Sequence, residues 1–184
     1  MKELDESQLV GKMRQGDEKA LAELIDRHQS AVARVVNSML GYVPEADDIC
    51  QEVFLRFWYS IDKYRHEAEV KTFLTRIAIN LSINELNRRK RKMSFILSQL
   101  SVQTESNQIK VESSEKAFGD AQLVASALNQ LDPPHRSVVV LRLVEGYSTK
   151  ETAEILGLPI GTVLSRLARA QEKMRKIIAK LLKS

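Results

Sequence analysis

A single cysteine, Cys50, leaves the 184-residue chain without the partner that an internal disulfide needs, and no C-x-x-C pair or histidine-rich spacing offers a metal site. That cysteine usage suits the cytosol. Also missing is any apolar run of about 18 residues, the length a membrane span requires. No apolar core follows the opening Met1-Lys2-Glu3-Leu4-Asp5-Glu6, so neither membrane insertion nor export is expected. Seven glycines and four prolines are few, and no stretch alternates apolar with polar residues, which excludes a β-sheet reading. Catalytic material is scarce as well. Asp47, Asp48 and Glu52 lack metal or acid–base partners, and His28, His66 and His135 share no spacing. The expectation is an all-α, non-enzymatic protein with no cofactor and no metal, whose 43% hydrophobic content is enough to bury real cores.

What is present is segregated charge. The formal net charge is only +4, yet residues 71–92 carry seven cations against one acid, and residues 159–184 again seven against one. Residues 45–69 carry seven acids against three cations. Two basic segments suit two contacts with a polyanion, and the acidic one suits a different partner.

Periodicity and punctuation divide the chain. Helices are predicted over residues 5–15 and 17–41, the second opened by Asp17 as N-cap and closed by Gly41. Within it Leu21, Leu24, Ile25, Val32, Val35, Val36 and Met39 form a core-facing stripe. A third helix, Pro44 to about Ile61, has proline in its first turn and Glu45, Asp47 and Asp48 at the positive end of the helix dipole. Ile49, Val53, Phe57 and Ile61, with Cys50, Phe54 and Trp58, make its buried face, where Cys50 reads as an inert thiol and Trp58 as core. A fourth helix, from about Val70 to Arg91, turns Phe73, Leu74, Ile77, Ala78 and Leu81 inward. Ser-, Gln-, Glu- and Asn-rich sequence from Met93 to about Gly119 reads as a linker, although Phe95, Ile96, Leu97 and Leu100 are able to continue or dock a helix. Four short helices follow between Asp120 and Leu182, broken at Asp132-Pro133-Pro134, Gly146-Tyr147 and Gly157-Leu158-Pro159.

The last two helices carry the sharpest pattern. Ser148-Thr149-Lys150-Glu151 is a capping box. Ala153, Gly157 and Val163 then supply a close helix contact, a residue tolerant of positive φ and an inward anchor, the requirements of a helix-turn-helix. On the second of these helices Val163, Leu167, Ala170, Met174, Ile177 and Leu181 line one face. Thr162, Arg166, Arg169, Lys173, Lys176 and Lys180 line the other. A cationic face that begins at a helix N-terminus suits a major groove.

Two other faces need explanation. Arg76, Asn80, Asn84, Asn87 and Arg91 share a strip of the fourth helix, and asparagine is a poor helix former. Its amide both donates to and accepts from base edges, while Arg88, Arg89, Lys90, Arg91 and Lys92 attract phosphates. On the third helix Asp48, Gln51, Glu52, Leu55 and Tyr59 mix carboxylates with apolar bulk, a composition suited to docking a protein.

Taken in order, Glu45-Ala46-Asp47-Asp48-Ile49-Cys50-Gln51-Glu52-Val53-Phe54, Phe73-Leu74-Thr75-Arg76-Ile77-Ala78-Ile79-Asn80, Leu131-Asp132-Pro133-Pro134-His135-Arg136 and Gly161-Thr162-Val163-Leu164-Ser165-Arg166 closely resemble bacterial RNA polymerase sigma factors of the extracytoplasmic-function group. The resemblance covers nearly the whole chain apart from the linker. It implies a promoter-melting domain over residues 1–92, a linker over 93–118 and an upstream-element-reading domain over 119–184. It further implies that Asp47, Asp48, Gln51, Glu52 and Leu55 dock on core RNA polymerase. The loop from Tyr64 to Glu69, with Arg65 and His66, would capture a flipped base. Arg76, Asn80, Asn84 and Arg88 would read the melted downstream element, and Thr162, Ser165, Arg166, Arg169 and Lys173 the upstream duplex. Leu164 stands where relatives often have arginine or lysine, and Phe73 where many have tryptophan. The first departure suggests a different upstream sequence; the second concerns packing.

The implied role is a dissociable, cytoplasmic initiation subunit whose partners are polymerase core, promoter DNA and an anti-sigma factor. A self-sufficient helix-turn-helix regulator would leave the acidic face and the asparagine strip without purpose. A decoy that mimics a sigma factor to sequester its anti-sigma partner would have no need of two basic faces.

Overall fold

A computed structural model describes residues 4–65, 68–100 and 119–183. Eight α-helices account for most of them, and no strand occurs among the described residues. Helix α1 (Glu6–Met13) starts at a capping box between Asp5 and Gln8. Helix α2 (Glu18–Leu40) is capped by Asp17 and ends at Gly41, whose φ of 79° is left-handed. Helix α3 (Pro44–Tyr59) begins on its proline, and a 3₁₀ turn (Ile61–Lys63) leads away from it. Helix α4 spans Val70–Leu100.

These four helices close the first module. Leu24, Val32, Val35, Val36 and Met39 of α2 are buried against Val53, Phe54 and Phe57 of α3 and Leu74, Ala78, Ile79 and Leu81 of α4, so the stripes read from helical spacing do meet. The predicted helix to Ile61 is the one place here where the ladder changes type, because its last turn tightens into the 3₁₀ segment.

Helix α4 runs nine residues past the predicted end at Arg91, to Leu100. Extending an existing helix needs no new nucleus, and Met93 to Leu100 contain neither glycine nor proline. The first turns of the segment read as a linker are therefore helical. The rest of that segment, 101–118, lies outside the described residues.

The second module holds α5 (Asp120–Asn129), α6 (Pro133–Val139), α7 (Thr149–Leu156) and α8 (Ile160–Leu181). All three predicted breaks fall where expected, although α8, at 22 residues, is long rather than short. Two small cores hold it: Leu128, Leu131, Val139 and Ala170, and Val138, Ala153 and Val163. Helix α6 ends in a widened π turn over Val140–Val144, followed by Gly146 at φ 76°. Val140, Leu141, Tyr147 and Ile155 reach beyond their own module. They join the core of the first one, so the two modules pack on each other through α6 and α7 against α2 and α4.

Candidate nucleic-acid interface

The helix-turn-helix is built from the turn outward. Ser148 and Glu151 form both bonds of the capping box, at 3.2 and 2.7 Å, which lowers the Glu151 carboxyl from its ordinary range. Gly157 ends α7 at φ 63°, ψ 39°. Helix α8 then departs with Val163 fully buried and Ala153 beside it in the same small core. No side chain caps α8, so its first N–H groups remain available to water or to a phosphate.

Along α8 Ser165, Arg169 and Lys173 are exposed, and Thr162 and Arg166 are half-buried. All five sequence-predicted upstream residues thus lie on one helix, at spacings that share a face. Ser165 donates to the Thr162 carbonyl at 3.1 Å. Lys173 is held by Asp132 at 3.2 Å, whereas Arg166 and Arg169 form no ion pair among the described residues. Leu164, 52% exposed, adds an apolar spot to the helix beside them.

On α4, Arg76, Asn80, Asn84, Asn87 and Arg91 are all exposed. The cationic run that follows is partly neutralised. Glu85 takes two bonds from Arg88, at 2.7 and 2.9 Å, and one from Arg89. These bonds lower the Glu85 carboxyl and raise the Arg88 guanidinium. Arg89 also reaches Glu45 at 3.2 Å. Lys90, Arg91 and Lys92 have no ion pair among the described residues and supply the unneutralised positive charge of this end.

Tyr64, expected to help capture a base, is buried instead of open to one. Tyr64 is only 3% exposed; its hydroxyl donates to the Ala68 carbonyl at 2.5 Å, and its ring meets Phe73 and Phe57 at 5.3 and 5.6 Å. Phe73 itself sits 5.6 Å from Phe57. Tyr64 therefore packs inward with the two phenylalanines, and burial raises its phenol. Arg65 is exposed, and His66 lies outside the described residues.

The acidic face of α3 is open. Asp47, Asp48 and Gln51 are exposed, with Leu55 46% and Tyr59 81% exposed. Glu52 is half-buried and holds Arg56 at 2.7 Å. Cys50 lies half-buried nearby; burial, with help from Asp47, raises its thiol, which disfavours the thiolate.

Residues that sequence reasoning did not single out join the modules. Arg136 is buried, and burial lowers its guanidinium. It donates to the Met39 carbonyl at the end of α2, to the Asn129 carbonyl, and to the Leu131 carbonyl at 2.9 Å. Arg34 of α2 forks onto Glu145, and Tyr147 meets Thr75 of α4. The one signal available beforehand was an aromatic following Gly146 in a turn that otherwise had no reason to be apolar.

Fold and faces together define a two-module, all-helical protein of the DNA-binding class, with cationic faces on α4 and α8 and a separate acidic face on α3. Residues 24–92 match the family Sigma-70 region 2, and residues 121–174 match Sigma-70, region 4. The chain is 32% identical to the ECF RNA polymerase sigma factor SigW of Bacillus subtilis, over 91% of this chain and 93% of that protein. It is 30% identical to the ECF RNA polymerase sigma-E factor of Haemophilus influenzae, over 98% of each. Among solved structures, CnrH in complex with the cytosolic domain of CnrY superposes with a TM-score of 0.65 at 26% identity, covering 94% of this chain and 96% of that one. The sigma factor RpoE of Bartonella quintana, in complex with the anti-sigma factor NepR, shares the fold, with a TM-score of 0.66 at 22% identity over 88% of this chain and 98% of that one. The chain belongs to the extracytoplasmic-function RNA polymerase sigma factors. No helix among the described residues is long and apolar enough to cross a membrane.

Proposed function

We propose that this protein is a cytoplasmic, dissociable initiation subunit that catalyses no bond change and works by joining RNA polymerase core and choosing where it starts. The observation that carries the reading is the pairing of two cationic faces on different modules, α4 and α8, with a carboxylate-bearing, partly apolar face on α3. Residues 1–92 act as the melting module and 119–184 as the upstream-reading module. Asp47, Asp48, Gln51, Glu52 and Leu55 grip the polymerase, and carboxylates on one helix with an exposed leucine suit an interface with a polar rim and an apolar centre. Arg76, Asn80, Asn84, Arg88 and the Arg65–His66 loop hold the melted strand, whose unstacking costs a few kcal/mol per base and is offset by polymerase contacts. Thr162, Ser165, Arg166, Arg169 and Lys173 read the upstream duplex. Two solved relatives carry CnrY and NepR as partners, and a comparable anti-sigma protein is the natural regulator of this chain.

Run-off transcription by purified core polymerase on a promoter library, with and without the chain, tests the role directly. Chain-dependent start sites are expected, and an unchanged transcript pattern would refute it. Paired reversal, Asp48→Lys with Glu52→Lys, should weaken co-purification with core polymerase by about tenfold or more, since it places like charge at a complementary contact. Undiminished co-purification would remove α3 from the interface.

A further inference from the structure

Helix α4 outlasts the module it belongs to, and the face it turns inward continues after the core has ended. Ile79 and Ser82 are buried, and Leu86 packs against the same core. Followed onward at helical spacing, that face next presents Met93, Ile96 and Leu97. Among the described residues nothing covers it there. Every residue from 91 to 99 is exposed, and Met93, Phe95, Ile96 and Leu97 stand 40 to 62% open. Large apolar side chains scattered singly are ordinary on a surface, but four of them grouped on one turn and a half of helix form a patch that calls for a partner.

The charge around the patch is of one sign. Residues 86–104 contain five cations and no acid. Arg88 and Arg89 are tied to Glu85, and Arg89 also to Glu45, whereas Lys90, Arg91 and Lys92 have no ion pair among the described residues. Lys90, seven residues before Leu97, and Lys92, four before Ile96, border the apolar stripe on its two sides. Lysine stems at such edges run along apolar surface while the ammonium heads stay in a polar layer.

That layout decides among partners. A second copy of the stripe would set one cationic run against another, and like charges repel. Nucleic acid would satisfy the cations but leave Met93, Ile96 and Leu97 uncovered, because phosphates offer them no apolar surface. A layer that is anionic above and hydrocarbon beneath satisfies both. We propose that the Lys90–Leu97 segment of α4 is a peripheral membrane-binding element. It lies along an anionic phospholipid surface, with Met93, Ile96 and Leu97 at the acyl boundary and Lys90, Arg91 and Lys92 among the headgroup phosphates. The segment spans about 12 Å as a helix, enough to rest on a bilayer and too short to cross one. A short apolar stripe joined to a polybasic run is the two-signal combination that anchors a protein reversibly. The consequence is a membrane-held pool of the free chain in exchange with a soluble one.

The test floats the full chain with vesicles of phosphatidylglycerol and phosphatidylethanolamine in equal parts, and in parallel with phosphatidylcholine vesicles. Each unpaired cation adds about fivefold to partition onto anionic lipid. Lys90, Arg91 and Lys92 together therefore give about a hundredfold preference for the anionic vesicles, which falls as salt rises. Ile96→Gln with Leu97→Gln should lower binding to those vesicles about tenfold or more, with helical content and melting temperature unchanged because both side chains are exposed. Lys90→Gln with Lys92→Gln should lower it about twenty-five-fold and flatten its salt dependence. A chain that ignores anionic vesicles overturns the inference. So does an Ile96→Gln, Leu97→Gln variant that binds them like the wild type, since adsorption is then by charge alone. If that variant instead loses a dimer seen by sedimentation, or loses affinity for a randomised duplex or for core polymerase while vesicle binding is unaffected, the stripe belongs to that partner and the lipid proposal falls. Run-off transcription proceeds without lipid, so failure on vesicles leaves the sigma role standing, and failure of run-off leaves the vesicle result standing.

Discussion

Asp132 shows how one side chain serves several levels at once. It accepts the His135 N–H at 3.2 Å as the N-cap of α6, contacts the His135 ring and holds Lys173 of α8. Burial pushes its carboxyl up, but the bonds from His135 and Lys173 outweigh that and leave it lowered. A carboxyl depressed by folding contributes stability above its unfolded pKa, and the contribution disappears as pH falls through the folded one. Asp132→Ala should therefore cost about 1 kcal/mol in urea melts near neutrality, as a lost cap does, and the gap should vanish in acid. Arg136 presents a harsher case. Its guanidinium satisfies carbonyls from α2, α5 and the turn before α6, so Arg136→Met strands several buried acceptors at about 1–3 kcal/mol each. A loss of at least about 3 kcal/mol by denaturant titration is expected; a loss below about 1 kcal/mol would mean the carbonyls find water instead.

At the scale of the element, the helix-turn-helix depends on a glycine for its angle and on arginines for its reach. Open space surrounds a Cβ built on Gly157, whose φ is +63°. Gly157→Ala therefore meets no clash, and its cost is the left-handed backbone alone, about 1 kcal/mol, visible as a lower melting temperature with the fold retained. Arg166→Ala and Arg169→Ala should each weaken binding of the upstream duplex by about 1–3 kcal/mol if they reach base edges, and unchanged promoter occupancy would place them off the groove. Caps, turns and the faces of α2, α3 and α8 were legible because each has a local cause: Asp17 and Ser148 bond their own helices, and Gly41 and Gly157 occupy conformations that other residues avoid. The far end of α4 was not, since polar composition suggested a break where nothing interrupts the ladder. Nor was the burial of Tyr64, because a tyrosine in a loop reads the same whether its ring faces a base or Phe73.

For the whole molecule, the consequence of a shared core is cooperativity. Val140, Leu141, Tyr147 and Ile155 are buried with residues of α2 and α4, contacts between positions far apart in the chain that local pattern does not encode. Sequence alone suggested two independent units, each with its own apolar stripe, and nothing in periodicity distinguishes a stripe that faces its own module from one that faces the other. Because the second module keeps only small cores of its own, it gains much of its stability from the first, and the described chain should unfold in one calorimetric transition, with van't Hoff and calorimetric enthalpies equal. Tyr147→Ala removes a buried ring, a change worth about 3 kcal/mol or more for an aromatic, together with the bond to Thr75. That loss falls on the junction, not on either helical bundle, so the variant should melt in two steps, the second module first, while helical content at low temperature is preserved. A single transition merely shifted downward would mean that the remaining contacts, Arg34 with Glu145 and Arg136 with Met39, are enough to keep the modules one cooperative body.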